Sequence, residues 1–159
     1  MSGPGVTAGR SRGAVRPALW AAVRPSGPLE AATRVITAGL LAGSGYIHLH
    51  LYLDGYRYIP TVGNLFLVQE AGSFAVALLL LVGGALVLRL AAAGLAAGAL
   101  VGFVLSRTSG VAGFTERGWN PAPDALASVL VEVAVLLIVA AGLLPAALRL
   151  ARRPARTVA

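Results

Sequence analysis

Cysteine and lysine are both missing from this chain of 159 residues, histidine occurs only twice, and there are 6 acidic side chains in all. Without a thiol there is no disulfide, no thiolate metal site, no cysteine-held iron–sulfur cluster and no thiol redox chemistry. The shortage of charge says more. Charged residues make up 12% of the chain against 57% hydrophobic ones, and the mean hydropathy is +0.81. Soluble domains carry roughly 25% charged residues, so a chain this apolar calls for lipid as its solvent.

What charge there is has one dominant sign. The basic residues are 13 arginines, which leave a formal net charge of +7. They gather towards the two ends and are not interleaved with aromatic residues, the pattern a nucleic-acid surface would need. No nucleic-acid partner is therefore expected, and the arginines read as topology signals.

Four apolar stretches define the organisation. Residues 1–30 are rich in Gly, Pro, Ser and Arg and have no apolar period, as expected of a disordered cytoplasmic tail. Helices are predicted over about 35–53, 64–88, 90–105 and 125–148, since about 20 apolar residues at 1.5 Å each cover a hydrocarbon core of about 30 Å. The turn between the second and third is marked only by Arg89. A basic cytoplasmic tail fills 150–159. The fold class that follows is an all-α, polytopic membrane protein, a four-transmembrane-helix bundle over 31–149. Gly94, Gly98 and Gly102 share a small-xxx-small spacing that predicts close helix packing on the third span, and Gly45 with its small neighbours does the same for the first. Tyr52, Tyr56 and Tyr58 are placed as an aromatic belt at the membrane boundary.

Charge then sets the orientation. With four spans, both termini share a side with Arg10, Arg12, Arg16, Arg24, Arg34, Arg89, Arg149, Arg152, Arg153 and Arg156, and the other side keeps Arg57, Arg107 and Arg117. The positive-inside rule places both termini in the cytoplasm of a multi-pass protein of the inner (plasma) membrane.

The candidate site falls at the outward end of the bundle. His48, Glu70 and Glu132 each lie about 9–11 Å below the outer boundary on three different helices. Buried ionisable groups at one depth are expected to face the bundle interior and one another. Arg107 at the top of the third span is the expected cation for them. His48 and His50 are about 200° apart on a helix, so only one serves the site, and the deeper His48 is favoured. His48 pairs with Tyr52, and His50 with Asp54, at i, i+4; Ser128 shares a face with Glu132 in the same way. His50, Tyr52, Asp54 and Ser128 are secondary candidates. No metal-ligand spacing stands out, and no metal or cofactor is assigned.

One resemblance accompanies this reading. The outward His48, the Ser106-Arg107-Thr108-x-Gly110 motif after the third span and the intramembrane Glu132 resemble an uncharacterised group of small four-helix bacterial membrane proteins, over about residues 35–148. Members of that group continue the motif with Leu-Pro, where this chain has Val111-Ala112-Gly113-Phe114. The resemblance implies a four-helix membrane fold and no particular activity. Three roles stay open. The preferred one is an accessory or scaffold subunit, not an enzyme, in which a buried polar network sets helix register and the partners are the bilayer and other membrane subunits or a second copy. The alternative is a membrane binding or transport protein that uses the network for a metal ion, a proton or a small polar ligand. A haem or redox role ranks third, since both histidines lie on one helix and a bis-histidine haem needs them on facing helices.

Overall fold

A computed structural model describes residues 27–151 of the chain, with side chains described to residue 144. Most of the expected N-terminal tail and the basic C-terminal tail lie outside the described residues. Those described form four helices: α1 Pro28–Leu53, α2 Val62–Val82, α3 Leu86–Arg107 and α4 Asp124–Ala151. A single 3-10 turn, Tyr56–Tyr58, sits between α1 and α2. There is no strand among the described residues, only an isolated bridge between Val111 and Phe114.

Helix α1 begins well before Val35, the position expected from hydropathy. Pro28 at the helix start brings a preset φ, and Glu30 lies in the first turn, where the helix dipole favours a negative charge. The helix ends at Asp54, whose backbone N–H donates to the His50 carbonyl at 2.9 Å. Gly55 follows at φ 144, a conformation that suits glycine.

The second turn is also displaced from the expected position. Helix α2 stops at Val82, and Gly83, Gly84 and Ala85 make the connection, so Arg89 lies in the first turn of α3. There its Nη2 meets Glu30 Oε1 of α1 at 2.7 Å. Arg34 closes the same end of the bundle. Its Nε donates to the Leu80 carbonyl at 3.1 Å and its Nη2 to the Leu81 carbonyl at 3.0 Å. Those carbonyls belong to the last turn of α2, which has no further helical donors of its own, and a cation there also opposes the negative end of the dipole. Gly84 makes room for the arginine: a Cβ at that position would stand 2.8 Å from Arg34 Cδ.

The core is built of small residues. Ala38, Leu41, Ala77, Leu80, Ala92, Ala96, Val135 and Val139 form one buried cluster drawn from all four helices. Large apolar side chains point the other way, among them Leu78, Val82, Val87, Leu130 and Leu137, each more than half exposed. A water-soluble bundle would bury these side chains. Three helices are long and apolar enough to cross a membrane: Val62–Val82, Leu86–Arg107 and Asp124–Leu144, with mean hydropathies of 2.1, 2.0 and 2.6. Helix α1, at 26 residues, is long enough but more polar. It turns Arg34, Thr37, Ser44 and His48 inward and leaves Val35, Ile36 and Tyr46 outside.

Close helix contact occurs where glycine is buried, not along the expected α3 stripe. A Cβ on Gly45 of α1 would lie 3.2 Å from the Phe74 ring and 3.3 Å from the Glu70 carbonyl of α2. One on Gly72 of α2 would lie 2.9 Å from Leu95 of α3. By contrast, nothing lies within 4 Å of a Cβ at Gly94, Gly98 or Gly102. Helix α3 instead presents Ala92 and Ala96 to the core, and its glycines face outward or line a cavity.

Candidate functional site

The polar groups at the end of the bundle that carries the α3–α4 loop are divided between a buried centre, a clasped loop and a cavity. At the centre, Ser44 Oγ of α1 donates to Glu132 Oε1 of α4 at 2.5 Å. Glu132 is 1% exposed, and its other carboxyl oxygen has no hydrogen-bond partner among the described residues. The Ser44 backbone carbonyl accepts from His48 Nδ1 at 2.9 Å. Beside Ser44, Gly45 packs on Phe74 of α2, the neighbour of Ser73 in the chain. Ser73 is fully buried, and its hydroxyl also lacks a partner among the described residues.

Arg107 does not join this centre, which corrects the expected four-residue network. Its carboxylate partner is Glu116 of the α3–α4 loop, at 3.4 Å. The guanidinium also donates to the Gly118 carbonyl at 3.2 Å, to the Asn120 carbonyl and to Ser106 Oγ. It lies 4.1 Å above the centre of the Phe103 ring. A guanidinium, unlike an ammonium, presents several donors in one plane and so holds several carbonyls at once. The Ser-Arg-Thr-x-Gly motif is therefore a clasp for the loop that follows it. Thr108 Oγ1 donates back to the Val104 carbonyl at 2.9 Å, and Gly110 sits at φ 83, where a Cβ would come 3.0 Å from the Phe114 carbonyl oxygen. Val111 and Phe114 then exchange backbone hydrogen bonds of 2.8 and 2.9 Å around Ala112 and Gly113, both at positive φ, the signature of a type I′ turn.

The remaining predicted residues are placed as follows. Glu70 is partly buried, with one carboxyl oxygen enclosed and unpartnered, and no ion pair among the described residues links it to Arg107. His50 is exposed and lies 3.5 Å from Asp124 Oδ2 at the start of α4, so its carboxylate is on another helix and is not Asp54. Tyr58 is 74% exposed and takes a hydrogen bond from Arg57 at 2.7 Å. Tyr56 departs from the expected belt. Its ring stacks on Phe66 at 4.6 Å and meets Phe114 edge-on at 5.7 Å. Burial, and then the charge and hydrogen bond of neighbouring Glu116, push its phenol above the ordinary value.

A cavity of about 280 Å³ opens between the buried centre and the loop. Its aromatic wall consists of Tyr56, Phe66, Phe103 and Phe114. Its polar groups include His48, Gln69 and Ser128. The most exposed lining residues are Leu65 and Val68 on α2 and Gly98 on α3, which places the mouth between those two helices. They touch at Gly72 and Leu95, where Gln69 Nε2 also donates to the Leu95 carbonyl at 3.3 Å. Hydropathy gives no sign of this cavity. The available signal was the placing of three of the four phenylalanines, Phe66, Phe103 and Phe114, near one end of the apolar stretches.

Among the described residues, no three histidine, aspartate or glutamate side chains gather as a metal-binding group. No known family model matches the chain, and no curated protein or solved structure matches it. The described residues define an all-helical fold with three helices long and apolar enough to cross a membrane.

Proposed function

We propose that the chain is an integral protein of the plasma membrane in which all four helices span, both termini are cytoplasmic, and the outward half binds a small lipid-soluble molecule in the side cavity between α2 and α3. Helix α1 completes the bundle as a span whose polar residues are sheltered by the other three. The arginine bias supports the orientation, with Arg34 and Arg89 at the end of the bundle that holds Glu30. The kinship with small four-helix bacterial membrane proteins belongs to the same proposal.

The observation that carries the binding role is the cavity itself. At about 280 Å³ it is close to the lower end of small-molecule sites, about 300–1,000 Å³, and like them it is mostly apolar with a few polar groups. Its mouth lies among side chains that would face lipid, which suits a ligand arriving from the bilayer. Between the roles open from sequence, this favours binding over a bare scaffold, because a scaffold has no need of an open, aromatic-walled recess.

Two measurements test the proposal. A single cysteine placed at the exposed Thr115, in a chain with no cysteine of its own, should be labelled by an impermeant maleimide from outside intact cells; protection from outside with labelling from within would reverse the topology. Gly98→Leu should fill the mouth without disturbing the bundle, since nothing lies within 4 Å of a Cβ there. The expected outcome is an unchanged melting temperature and loss of the stabilisation that hexylbenzene gives the parent protein. Equal stabilisation of both proteins by hexylbenzene would remove the cavity from the site.

A further inference from the structure

The polar groups around the cavity differ in what they still have to offer. His48 Nδ1 lies 2.9 Å from the Ser44 carbonyl oxygen. A carbonyl oxygen only accepts, so Nδ1 carries the proton, and the second nitrogen of the neutral ring is left as an acceptor. Gln69 commits one amide N–H to the Leu95 carbonyl, which leaves its other N–H and its carbonyl oxygen to meet a ligand. Arg107, the strongest donor nearby, is taken up by Glu116, Gly118 and Asn120 of the loop. The Ser106 hydroxyl donates to the Phe103 carbonyl at 2.8 Å and receives Arg107. His48 Nε2 thus stands as an acceptor with no donor capacity of its own, while the Gln69 amide and the Ser128 hydroxyl are able to act either way. A ligand that satisfies His48 must bring a donor.

The walls add a shape requirement. Phe66 is the hinge of the aromatic cluster, 5.3 Å from the His48 ring and 4.6 Å from Tyr56, while Phe114 closes on Tyr56 at 5.7 Å. Rings at these spacings accept another flat ring in stacked or edge-on contact, a geometry that aliphatic chains do not exploit.

Resting on the cavity reading above, we propose that the ligand is a lipid-soluble phenol, with hydroquinones included in that class, whose ring sits among Phe66, Phe103 and Phe114 and whose hydroxyl donates to His48 Nε2. The alkyl part leaves between Leu65 and Val68 of α2 and Gly98 of α3 into the bilayer. The Ser44–Glu132 pair acts indirectly. By fixing Ser44 it holds the carbonyl that orients His48, so it belongs to the positioning of the acceptor and not to ligand contact.

The test compares 4-hexylphenol, its methyl ether and hexylbenzene, each titrated into the full-length protein in lipid nanodiscs and corrected for partition into empty discs. Tryptophan fluorescence reports binding, with Trp119 5.5 Å from the Phe103 ring in the cavity wall. The phenol should bind about tenfold more tightly than the ether, the worth of one buried hydrogen bond, and the ether about as well as hexylbenzene. His48→Leu should reduce the phenol to the affinity of the ether. Equal affinity of phenol and ether for the parent would overturn hydroxyl recognition and leave the cavity standing. Failure of all three probes to bind would overturn the cavity reading as well. A folded His48→Leu protein that still prefers the phenol would show that His48 is not the acceptor. Should that variant not fold, the comparison of phenol with ether on the parent decides the matter alone.

Discussion

Arg107→Gln should lower the stability of the purified protein by about 3 kcal/mol, read as a fall in the thermal midpoint in detergent. The guanidinium holds the Gly118 and Asn120 carbonyls, Ser106 and Glu116 together, and hydrogen bonds to charged groups contribute about 1.5–3 kcal/mol each. Glutamine reaches one of these acceptors at most. Lysine should not rescue the loss, because one ammonium cannot lie flat over Phe103 and span several carbonyls as the guanidinium does. Glu116→Gln should cost far less, since that contact is long at 3.4 Å and its partners are partly solvated. An Arg107→Gln protein as stable as the parent would mean that the loop holds its shape without the clasp.

Glu132 should show the opposite dependence on chemistry. Glu132→Ala is expected to cost about 2–4 kcal/mol, because it leaves a void in a closed core and strands the buried Ser44 hydroxyl. Glu132→Gln keeps an acceptor for Ser44 and replaces the unpartnered oxygen with an amide able to donate, so it should stay within about 1 kcal/mol of the parent. Thermal unfolding of the two variants side by side reads the difference. Equal and large losses would mean that the negative charge, not the hydrogen bond, holds α1 to α4.

Much of the architecture was legible before any coordinates. The four apolar stretches are found as helices, and small residues on α1 do mark a close approach, at Gly45. Boundaries were less legible. The start of α1 was hidden because Pro28 and Glu30 act through backbone geometry and the helix dipole, which hydropathy does not register. The α2–α3 turn was hidden because Gly83 and Gly84 count as apolar, while Arg89, the residue that looked like a turn, lies in the first turn of α3 and reaches for Glu30. The site was legible as an inventory and not as a set of pairings. Burial of Glu132 and His48 followed from their depth. The partners did not: Arg107 serves the loop, His50 faces Asp124, Tyr56 turns inward and the cavity is formed by parts of every helix.

The division has a physical basis. Transfer of side chains from water to lipid is close to additive along a chain, so an apolar run of the right length declares itself wherever the helix ends up. The sequence alone therefore determined that this is a helical chain suited to a membrane, with its few ionisable groups confined to known depths. Which of those groups meet depends on how each helix is rotated about its axis, and one residue of slip turns a side chain by about 100°. Ser44 and Glu132, 88 residues apart, are joined only because alanine and valine packing in the core sets those rotations. The recess beside Gly98 and Gly102 exists for the same reason: α2 and α3 meet at Gly72 and Leu95, whereas nothing lies within 4 Å of a Cβ at Gly98 or Gly102.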